Sequence, residues 1–304
     1  MTQKPITVFG GSGFLGRSVT RTLLARGHRV RLVARHPDRV RFDAEQERRL
    51  QRRAVDIRDR PAVDDAVAGS RAVINAVSLY TERGDLTFEE IHVRAAAGLA
   101  SAARGAGVDH FLQVSGIGAD RTSPSSYVRA RARGEVAVRG AFPDVVLVRP
   151  SSLFGAGDAL IRSLALLTRL PVIPLFGRGL TRLQPVWVDD VAQALARLAE
   201  GAGPPAAIHE LGGAETLRYR DLVAAVCGHL GRRRLRLPVP FLLWHALAMV
   251  LSVLSTPPLT RDQVWLMARD NVAAGQADGF ARLGIRPRGV REALPVCLGP
   301  PRQG

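Results

Sequence analysis

Three glycines spaced three residues apart near the N-terminus could bind a diphosphate. Residues 6–9 are apolar and typical of a buried strand, and Gly10, Gly13 and Gly16 follow them. A helical pattern begins at once, so the N–H groups and positive dipole end of a helix would face an anion. Such spacing allows a tight turn, close approach of the backbone to phosphates, and close helix–strand packing. The alternative is an ordinary turn whose glycines serve only packing. The predicted dinucleotide contacts are Gly10, Gly11, Ser12, Gly13, Phe14, Leu15 and Gly16.

The residues that follow the later strands bear on which nucleotide would bind. The second strand pattern, residues 29–34, runs into Arg35 and His36, and no carboxylate stands there to accept a ribose 2′-hydroxyl. A cation at this point suits a 2′-phosphate, which favours NADP(H) and leaves NAD(H) possible. If Arg35 is only a solvated loop residue, this preference disappears. Further expected cofactor contacts are Asp56 and Ile57 near the adenine, Asn75, Ala76 and Val77 near the nicotinamide, and Pro150.

The elements that must position these residues alternate between strand and helix patterns. Strand patterns cover residues 6–9, 29–34, 53–57, 72–77, 110–115 and 145–149, and helical patterns cover residues 16–26, 60–68, 88–105 and 126–140. This rhythm predicts an α/β fold of the Rossmann type, with a doubly wound parallel sheet. Beyond Pro150 the rhythm loosens. Residues 186–188 look like a return to the sheet, and Asp189 is a candidate cap for a helix over residues 190–200.

We therefore expect two regions in the chain. An NAD(P)-binding Rossmann domain would cover residues 1–155 and be completed by about residues 186–200. A smaller, mostly helical C-terminal region for substrate binding or docking would cover residues 156–304.

Composition narrows the classes of function. The chain has 304 residues, of which 46% are hydrophobic, so it can form a large core and is not disordered throughout. Two cysteines in no paired spacing suggest no metal site. The net charge of +16 favours a phosphorylated ligand, an acidic partner or an anionic membrane surface. We expect no nucleic acid partner, because no binding motif is present and aromatic residues make up only 5% of the chain.

The sequence also bears on location. The early first strand leaves no room for a signal peptide, which favours the cytoplasm. Residues 237–260 are uncharged, but a helix between their prolines would span about 24 Å, short of the roughly 30 Å bilayer core.

The uncharged stretch contains a candidate helix over residues 241–255. Its polar positions, His245, Ser252 and Ser255, fall on one narrow stripe, and we expect a buried core helix. The alternative is an apolar face left for the membrane surface or a partner, beside the basic run over residues 232–236.

Several motifs together resemble the short-chain dehydrogenase/reductase superfamily, in its extended and atypical branches. They are the glycine turn, residues 55–56, residues 114–116, Tyr127, residues 149–155 and residues 188–192. Active members of this superfamily use a Tyr as general acid/base. A Lys four residues further on lowers the Tyr pKa and holds the ribose, and a Ser or Thr hydroxyl polarises the substrate carbonyl.

This chain departs from the superfamily pattern at two of those positions. Arg131 stands where the Lys is expected, and an Arg cannot readily give up a proton. Gly116 stands where the hydroxyl is expected, with Ser115 one residue earlier. The Tyr-x-x-x-Lys motif is therefore degraded. Tyr127, Arg131 and Ser115 would be catalytic only if the protein is active, and otherwise Tyr127 and Arg131 would contact the cofactor without turnover.

A more specific resemblance extends over nearly the whole chain. Residues 114–120, 123–127, 142–145, 182–186, 210–213 and 257–264 resemble the nucleotide-binding accessory subunit of respiratory complex I and its bacterial relatives. The resemblance implies a peripheral protein on the inner face of the cytoplasmic membrane, close to ubiquinone chemistry. It would hold NADPH structurally, with complex I subunits as partners. Two alternatives stay open: an active NADP-dependent reductase or epimerase, including one of quinone metabolism, and a sensor of the NADPH level.

Overall fold

The computed structural model describes residues 3–254, 257–274 and 278–301. The strands are β1 (Ile6–Phe9), β2 (Val30–Ala34), β3 (Leu50–Ala54), β4 (Ala72–Asn75), β5 (His110–Val114), β6 (Val146–Pro150), β7 (Leu153–Phe154), β8 (Val172–Phe176), β9 (Arg182–Leu183), β10 (Val186–Trp187), β11 (Ile208–Leu211), β12 (Leu217–Arg218) and β13 (Leu235–Val239). The helices are α1 (Phe14–Ala25), α2 (Ala44–Glu47), α3 (Arg60–Val67), α4 (Ala96–Gly105), α5 (Ser126–Ala141), α6 (Ala159–Leu167), α7 (Val188–Ala199), α8 (Tyr219–His229), α9 (Phe241–Leu251), α10 (Arg261–Met267), α11 (Asp278–Ala281) and α12 (Val290–Leu298). A π-helical segment, Glu89–Ala95, leads into α4.

Seven strands of the described residues form one sheet, in the order β11-β6-β5-β4-β1-β2-β3. Every neighbouring pair is parallel, and Ile6 of β1 lies opposite both Val30 of β2 and Ala72 of β4. The direction of strand addition reverses between β1 and β4, so the loops after these two strands open a crevice at the carboxyl edge. The predicted Rossmann-type α/β fold with a doubly wound parallel sheet is confirmed.

Helices cover both faces of this sheet. On one face α1 packs against α7, and Val19 and Leu195 join the strands in a buried core. On the other face α3, α4 and α5 form a second core with Leu99 and Val138. The central strands β1 and β4 are buried along their whole length, as a parallel sheet covered on both faces requires.

The C-terminal helices form a smaller core beside the sheet. Ile161 of α6, Leu222 of α8 and Leu294 of α12 are buried in it with Phe154 and Trp187. The predicted helical character of this region is confirmed by α6, α8, α9, α10 and α12.

The expectation that residues 241–255 form a core helix is wrong. Helix α9 ends at Leu251 and buries only Ala248, while Leu242 is 79% exposed. Ser255, one of the predicted polar positions, lies outside the described residues. Phe241, Trp244 and Leu251 are half-buried and the remaining large apolar side chains of α9 are exposed, because the helix packs mainly against β8 and α10. Among the residues that can be described, no helix is both long and apolar enough to cross a membrane.

Two further local predictions are wrong. Residues 186–188 do not return to the main sheet: β10 pairs with β7 in a separate ladder, and β11 takes the place beside β6. Asp189 does not cap the following helix, because α7 already begins at Val188 with Trp187 as its N-cap. The Asp189 carboxylate instead accepts a hydrogen bond from the Ser18 hydroxyl of α1, which ties the two helices together.

The third strand begins earlier than its sequence pattern suggests. Residues 53–57 were the expected strand, but β3 runs from Leu50 to Ala54 because its register is set by pairing with β2, Val30 lying opposite Leu50. This shift places Asp56 and Ile57 in the loop after the strand, at the carboxyl edge of the sheet.

Candidate functional site

The turn between β1 and α1 depends on two glycines. Gly10 has φ +75°, and a Cβ on it would lie 2.9 Å from the carbonyl of Ala76 and from the amide nitrogen of Val77. A Cβ on Gly16 would overlap the Gly10 carbonyl oxygen. The amide of Gly10 donates to the carbonyl of Val33 in β2, at 2.9 Å. The turn therefore packs directly between the loop after β4 and the end of β2, with no room for side chains.

Gly13 leaves the N-terminus of α1 open. It is the N-cap residue, it is exposed, and it provides no side-chain hydrogen bond to the helix. The first turn of α1 contains no acidic residue, so its free N–H groups and positive dipole end face outward without a competing carboxylate. A Cβ on Gly13 would stand 3.1 Å from the Gly10 carbonyl and would fill part of this cradle. The turn thus fits the phosphate groups of a dinucleotide.

The loops after β2 and β3 bring cations to one side of the crevice. Arg35 is exposed directly after β2. The Asp56 carboxylate accepts hydrogen bonds from the backbone N, Nε and Nη2 of Arg58, at 3.0, 3.1 and 2.8 Å. The Arg58 guanidinium, with a smaller contribution from Arg35, holds the pKa of the Asp56 carboxyl below its usual value. Ile57 is buried in the same loop.

Asn75 ends β4 beneath the glycine turn. Its Nδ2 donates to Gln113 Oε1 at 2.9 Å, and its Oδ1 accepts from the amide of Val77 at 3.1 Å. The side chain is buried, so it shapes the loop at Ala76 and Val77 that contacts Gly10. Ala76 and Val77, two of the three residues predicted near the nicotinamide, therefore lie directly against the glycine turn.

Tyr127 and Arg131 meet on one face of α5. The helix is capped by Ser125, whose hydroxyl accepts from the amide of Val128, and residues four apart then stand one turn from each other. The Tyr127 hydroxyl accepts from Arg131 Nε at 3.2 Å and from Nη2 at 3.0 Å. The predicted pair is thus in direct contact.

Arg131 is enclosed by acceptors of the protein itself. Besides Tyr127, its Nη1 donates to the Val114 carbonyl at 3.0 Å and its Nη2 to the Ser78 hydroxyl at 2.7 Å. A guanidinium has five N–H donors, so these contacts engage most of them. Burial raises the pKa of Tyr127 above its ordinary value, although the Arg131 charge acts in the opposite direction. In this arrangement the phenol oxygen accepts hydrogen bonds from Arg131, and burial opposes its ionisation.

Ser115 and Pro150 lie behind this pair. The Ser115 hydroxyl is buried and makes no hydrogen bond to any part of the chain that the structure describes. Its amide donates to Val148 at 2.7 Å. The buried Pro150 ends β6, and its carbonyl accepts from the amide of Ile117 at 3.1 Å. The Ser115 hydroxyl is therefore inaccessible to solvent in this structure.

The sequence profile of the NAD(P)H-binding family matches residues 10–162, from the first glycine of the turn into α6. The chain belongs to this NAD(P)H-binding family. Its match includes the glycine turn, the loop after β4 and the Tyr127–Arg131 pair. No group of His, Cys, Asp or Glu in the described ranges is placed to hold a metal ion.

Relatives of this family member extend the match toward both ends of the chain. It is 29% identical over 289 residues to NADH dehydrogenase (ubiquinone) 1 alpha subcomplex subunit 9 of Rattus norvegicus mitochondria, covering 92% of this chain and 76% of the rat protein. It is 29% identical over 295 residues to the mitochondrial NADH-ubiquinone oxidoreductase 40 kDa subunit of Neurospora crassa, covering 93% of this chain and 76% of that subunit. The resemblance to the accessory-subunit family is confirmed.

Solved structures of other proteins share the fold. An NADPH-dependent quinone oxidoreductase of Escherichia coli, solved with NADPH, superimposes with a TM-score of 0.76 at 18% identity, over 95% of this chain and 98% of that chain. At this identity the similarity establishes the Rossmann-type architecture of the NAD(P)H-binding protein and nothing finer.

Sequence reasoning missed an aromatic cluster around Tyr127. The ring of Tyr80 stacks on Tyr127 with centroids 5.8 Å apart, and Phe88 and His92 approach its edge at 5.5 and 5.6 Å. His92 lies in the π-helical segment, a feature often found at functional sites. A Cβ on Gly134 of α5 would overlap the His92 carbonyl, so helix and segment approach closely there. The only signal in the sequence was the placement of two aromatic residues before His92 in a chain poor in them.

We expect Gly13→Ala to weaken nucleotide binding without unfolding the protein. Gly13 has φ −73°, which alanine adopts freely, and its nearest neighbour would need to move by only a few tenths of an ångström. The added methyl group stands where the phosphates approach the backbone, so we expect the Kd for NADPH to rise about tenfold or more, a loss of about 1.4 kcal/mol. Isothermal titration calorimetry measures this. Gly105→Ala, whose Cβ meets nothing within 4 Å, is the matched control and should bind as the wild type does. Equal affinity of both variants would contradict the assignment of the turn.

We expect His92 to make the protein sensitive to acid. Burial, together with the charge of Arg131, lowers the pKa of His92 to about 3 from 6.5. The neutral ring is favoured in the folded state, so its contribution to stability is complete above about pH 6.5 and is lost as the pH falls toward 3. The free energy of unfolding of wild type should fall more steeply over this range than that of His92→Gln, by at most about 1.4 kcal/mol per pH unit. Denaturant titrations at several pH values measure the difference, and parallel curves would rule it out.

Proposed function

We propose that the protein is an NADP(H)-binding accessory or assembly protein of respiratory complex I, which holds the nucleotide structurally with little or no turnover. The observation that carries the proposal is the open glycine turn beside a Tyr127 that is held by a buried Arg131. Similarity over most of the chain to subunits of NADH:ubiquinone oxidoreductases supports the choice of complex. Binding residues are present, whereas the lysine that superfamily members use to activate the tyrosine is replaced.

The nucleotide would extend along the crevice from the β2–β3 side to Tyr127. The N–H groups of the turn from Gly10 to Gly16 would bind the diphosphate. Asp56 and Ile57 would line the adenine, and the backbone of Asn75, Ala76 and Val77 would lie toward the nicotinamide, with Tyr127, Arg131 and Pro150 beyond. A bound nicotinamide supplies hydride-transfer chemistry. The residues of this chain would bind and orient it, and the stack of Tyr80 on Tyr127 would shield its site from water.

The preference for NADP(H) over NAD(H) rests on Arg35. This cation is exposed after β2, where a ribose 2′-phosphate would lie. The Asp56 carboxylate is engaged by Arg58, and the exposed Asp38, in the short helical turn after β2, lies 3.8 Å from Arg52 Nε. A 2′-phosphate at this end of β2 would therefore meet the Arg35 guanidinium.

The rest of the chain would serve assembly. In this proposal residues 1–155, completed by about residues 186–200, form the nucleotide domain, and residues 156–304 dock on other complex I subunits. The protein would lie in the cytoplasm, on the inner face of the cytoplasmic membrane. A net charge of +16 suits such a surface-bound role.

An active NADP-dependent reductase or epimerase is the second candidate. One observation favours it: the Tyr127 hydroxyl touches a cation, which is the relationship that active superfamily members need. In that case Arg131 would replace the lysine. Ser115 would supply the second hydroxyl, but only after a rearrangement that exposes its side chain.

We expect Arg35→Gln to weaken the binding of NADPH but not that of NADH. Loss of the guanidinium should raise the Kd for NADPH about tenfold or more, because charge-assisted hydrogen bonds contribute about 1.5–3 kcal/mol, and leave that for NADH nearly unchanged. Fluorescence titration of both nucleotides measures the ratio. Arg104→Gln, which removes an exposed arginine at the end of α4, controls for net charge. If Arg35→Gln weakens the binding of both nucleotides equally, Arg35 does not recognise the 2′-phosphate.

We expect the purified protein to consume NADPH no faster than its Tyr127→Phe variant. The assay offers NADPH with a ubiquinone analogue, with carbonyl compounds and with sugar nucleotides, because these cover the second candidate. Removal of the phenol hydroxyl should leave nucleotide binding nearly intact, since its hydrogen-bond partners in the described structure are the protein's own Arg131 and Ser78. Clear turnover that Tyr127→Phe abolishes would overturn the accessory role in favour of the enzyme.

Mass spectrometry of complexes extracted from membranes tests the proposed partners: complex I subunits should copurify with the protein.

A further inference from the structure

A broad apolar surface lies on α9 and the turn after it. Leu242 is 79% exposed and Val253 85%, while Leu243, Met249 and Val250 are more than half exposed. Large apolar side chains in contact with water on this scale are unusual for a monomer and mark a binding surface. We refer to residues 241–254 as the apolar ridge.

The apolar ridge is held in a defined orientation. Trp244 Nε1 donates to the Leu175 carbonyl of β8 at 3.1 Å, and its ring packs on Phe176 with centroids 4.3 Å apart. Phe241 stacks on the same Phe176 ring at 6.5 Å. These contacts and the buried Ala248 fix one side of α9, so the exposed leucines and valines on the other sides present a stable surface.

An arginine-rich run over residues 232–236 leads through β13 into the ridge. Arg232 Nη1 donates to the Thr168 hydroxyl at 2.6 Å and Arg234 Nε to the Thr168 carbonyl at 2.9 Å, which holds both side chains at the end of α6. Arg162, Arg169 and Arg232 line an open groove of about 740 Å³ between α6 and the end of α8. Arg233 and Arg236 are exposed on either side of Leu235, itself 67% exposed.

The two segments that build this face are free of acidic residues. Residues 159–188 and 222–261 contain no Asp or Glu, but they contain Arg162, Arg169, Arg178 and Arg182, and Arg232, Arg233, Arg234, Arg236 and Arg261. Asp158, which also lines the groove, is buried as the N-cap of α6. The face therefore combines exposed aliphatic side chains with neighbouring arginines, and the adjoining α10 contributes Asp262, whose carboxylate accepts hydrogen bonds from Ser125 and Ser126.

We propose that this face docks on the surface of a bilayer that contains anionic phospholipid. The apolar ridge inserts among the acyl chains, and the arginines of the groove and of the 232–236 run bind headgroup phosphates. A bilayer offers apolar material and phosphates at adjacent depths, which matches leucines bordered by arginines. With 11 residues, α9 is about 16 Å long and lies in the plane of the interface. This inference rests on the membrane location in the proposed function and names the surface responsible; vesicle binding is measured without nucleotide, so its failure is distinguishable from a failure of NADPH binding.

Vesicle flotation of the full chain tests the proposal. Wild type should float with vesicles of equal parts phosphatidylcholine and phosphatidylglycerol and much less with phosphatidylcholine alone. Arg233→Gln/Arg236→Gln should lower the partition coefficient about 25-fold, about fivefold for each arginine near an anionic surface. Leu242→Ser/Val250→Ser should reduce binding to the anionic vesicles at least as strongly, because both side chains are lost from the acyl layer. All four positions are exposed, so the variants keep the fold, and NADPH affinity should stay unchanged.

Matched control variants remove the same types of side chain from surfaces outside the proposed docking face. Arg48→Gln/Arg104→Gln removes two exposed arginines outside the face, and Val136→Ser removes an exposed valine of α5. Both should bind vesicles as wild type does. Equal losses for face and control variants would overturn the proposal, since they would show binding by net charge alone. The proposal would also be overturned if wild type does not bind vesicles. It would be overturned in favour of a protein partner if wild type forms a dimer in sedimentation equilibrium and Leu242→Ser/Val250→Ser is a monomer.

Discussion

The backbone contact between Gly10 and the loop after β4 is the constraint on which the site depends. The missing Cβ of Gly10 lets its turn approach Ala76 and Val77, and Asn75 holds that loop in place through Gln113 and Val77. The reversal of strand order between β1 and β4 places this contact at the switch point of the sheet. The open N-terminus of α1 then faces the crevice. A side chain at Gly10 would separate the two loops and close the cradle.

At the opposite end of the crevice, the Tyr127–Arg131 pair explains how a protein of this fold can bind a nucleotide without catalysing its turnover. A lysine beside a tyrosine leaves a mobile ammonium that can contact both the phenol and a ribose. Arg131 instead donates to Tyr127, Ser78 and Val114, so most of its N–H donors are already engaged by acceptors of the protein itself. The pKa of Tyr127 stays above its ordinary value because the phenol is buried. In our proposal this pair is a rigid wall for the nucleotide, and the bound nucleotide in turn stabilises the chain for assembly.

The sequence predicted the features that local chemistry determines. Residues 6–16 combine a strand, three glycines and a helix, and they fold as expected because apolar β-branched residues favour a buried strand and glycine permits the positive φ of Gly10. It did not predict β11 as the seventh strand, nor β10 in a separate ladder, because strand partners are chosen by packing over long distances. The exposure of α9 was expected only as the alternative to a core helix, because an apolar helical pattern does not show which neighbours cover it. The π-helical segment around His92 was not predicted either; its backbone packs closely on Gly134, a long-range contact that no local pattern indicates.

Native mass spectrometry of the protein purified without added nucleotide tests the central claim most directly. The phosphate cradle at Gly13 and the wall of Tyr127 and Arg131 predict one tightly held pyridine nucleotide per chain, with the mass of NADP(H), that survives gel filtration and is released on denaturation. A spectrum of the bare chain that stays unchanged after incubation with NADPH and with NADH would contradict the account.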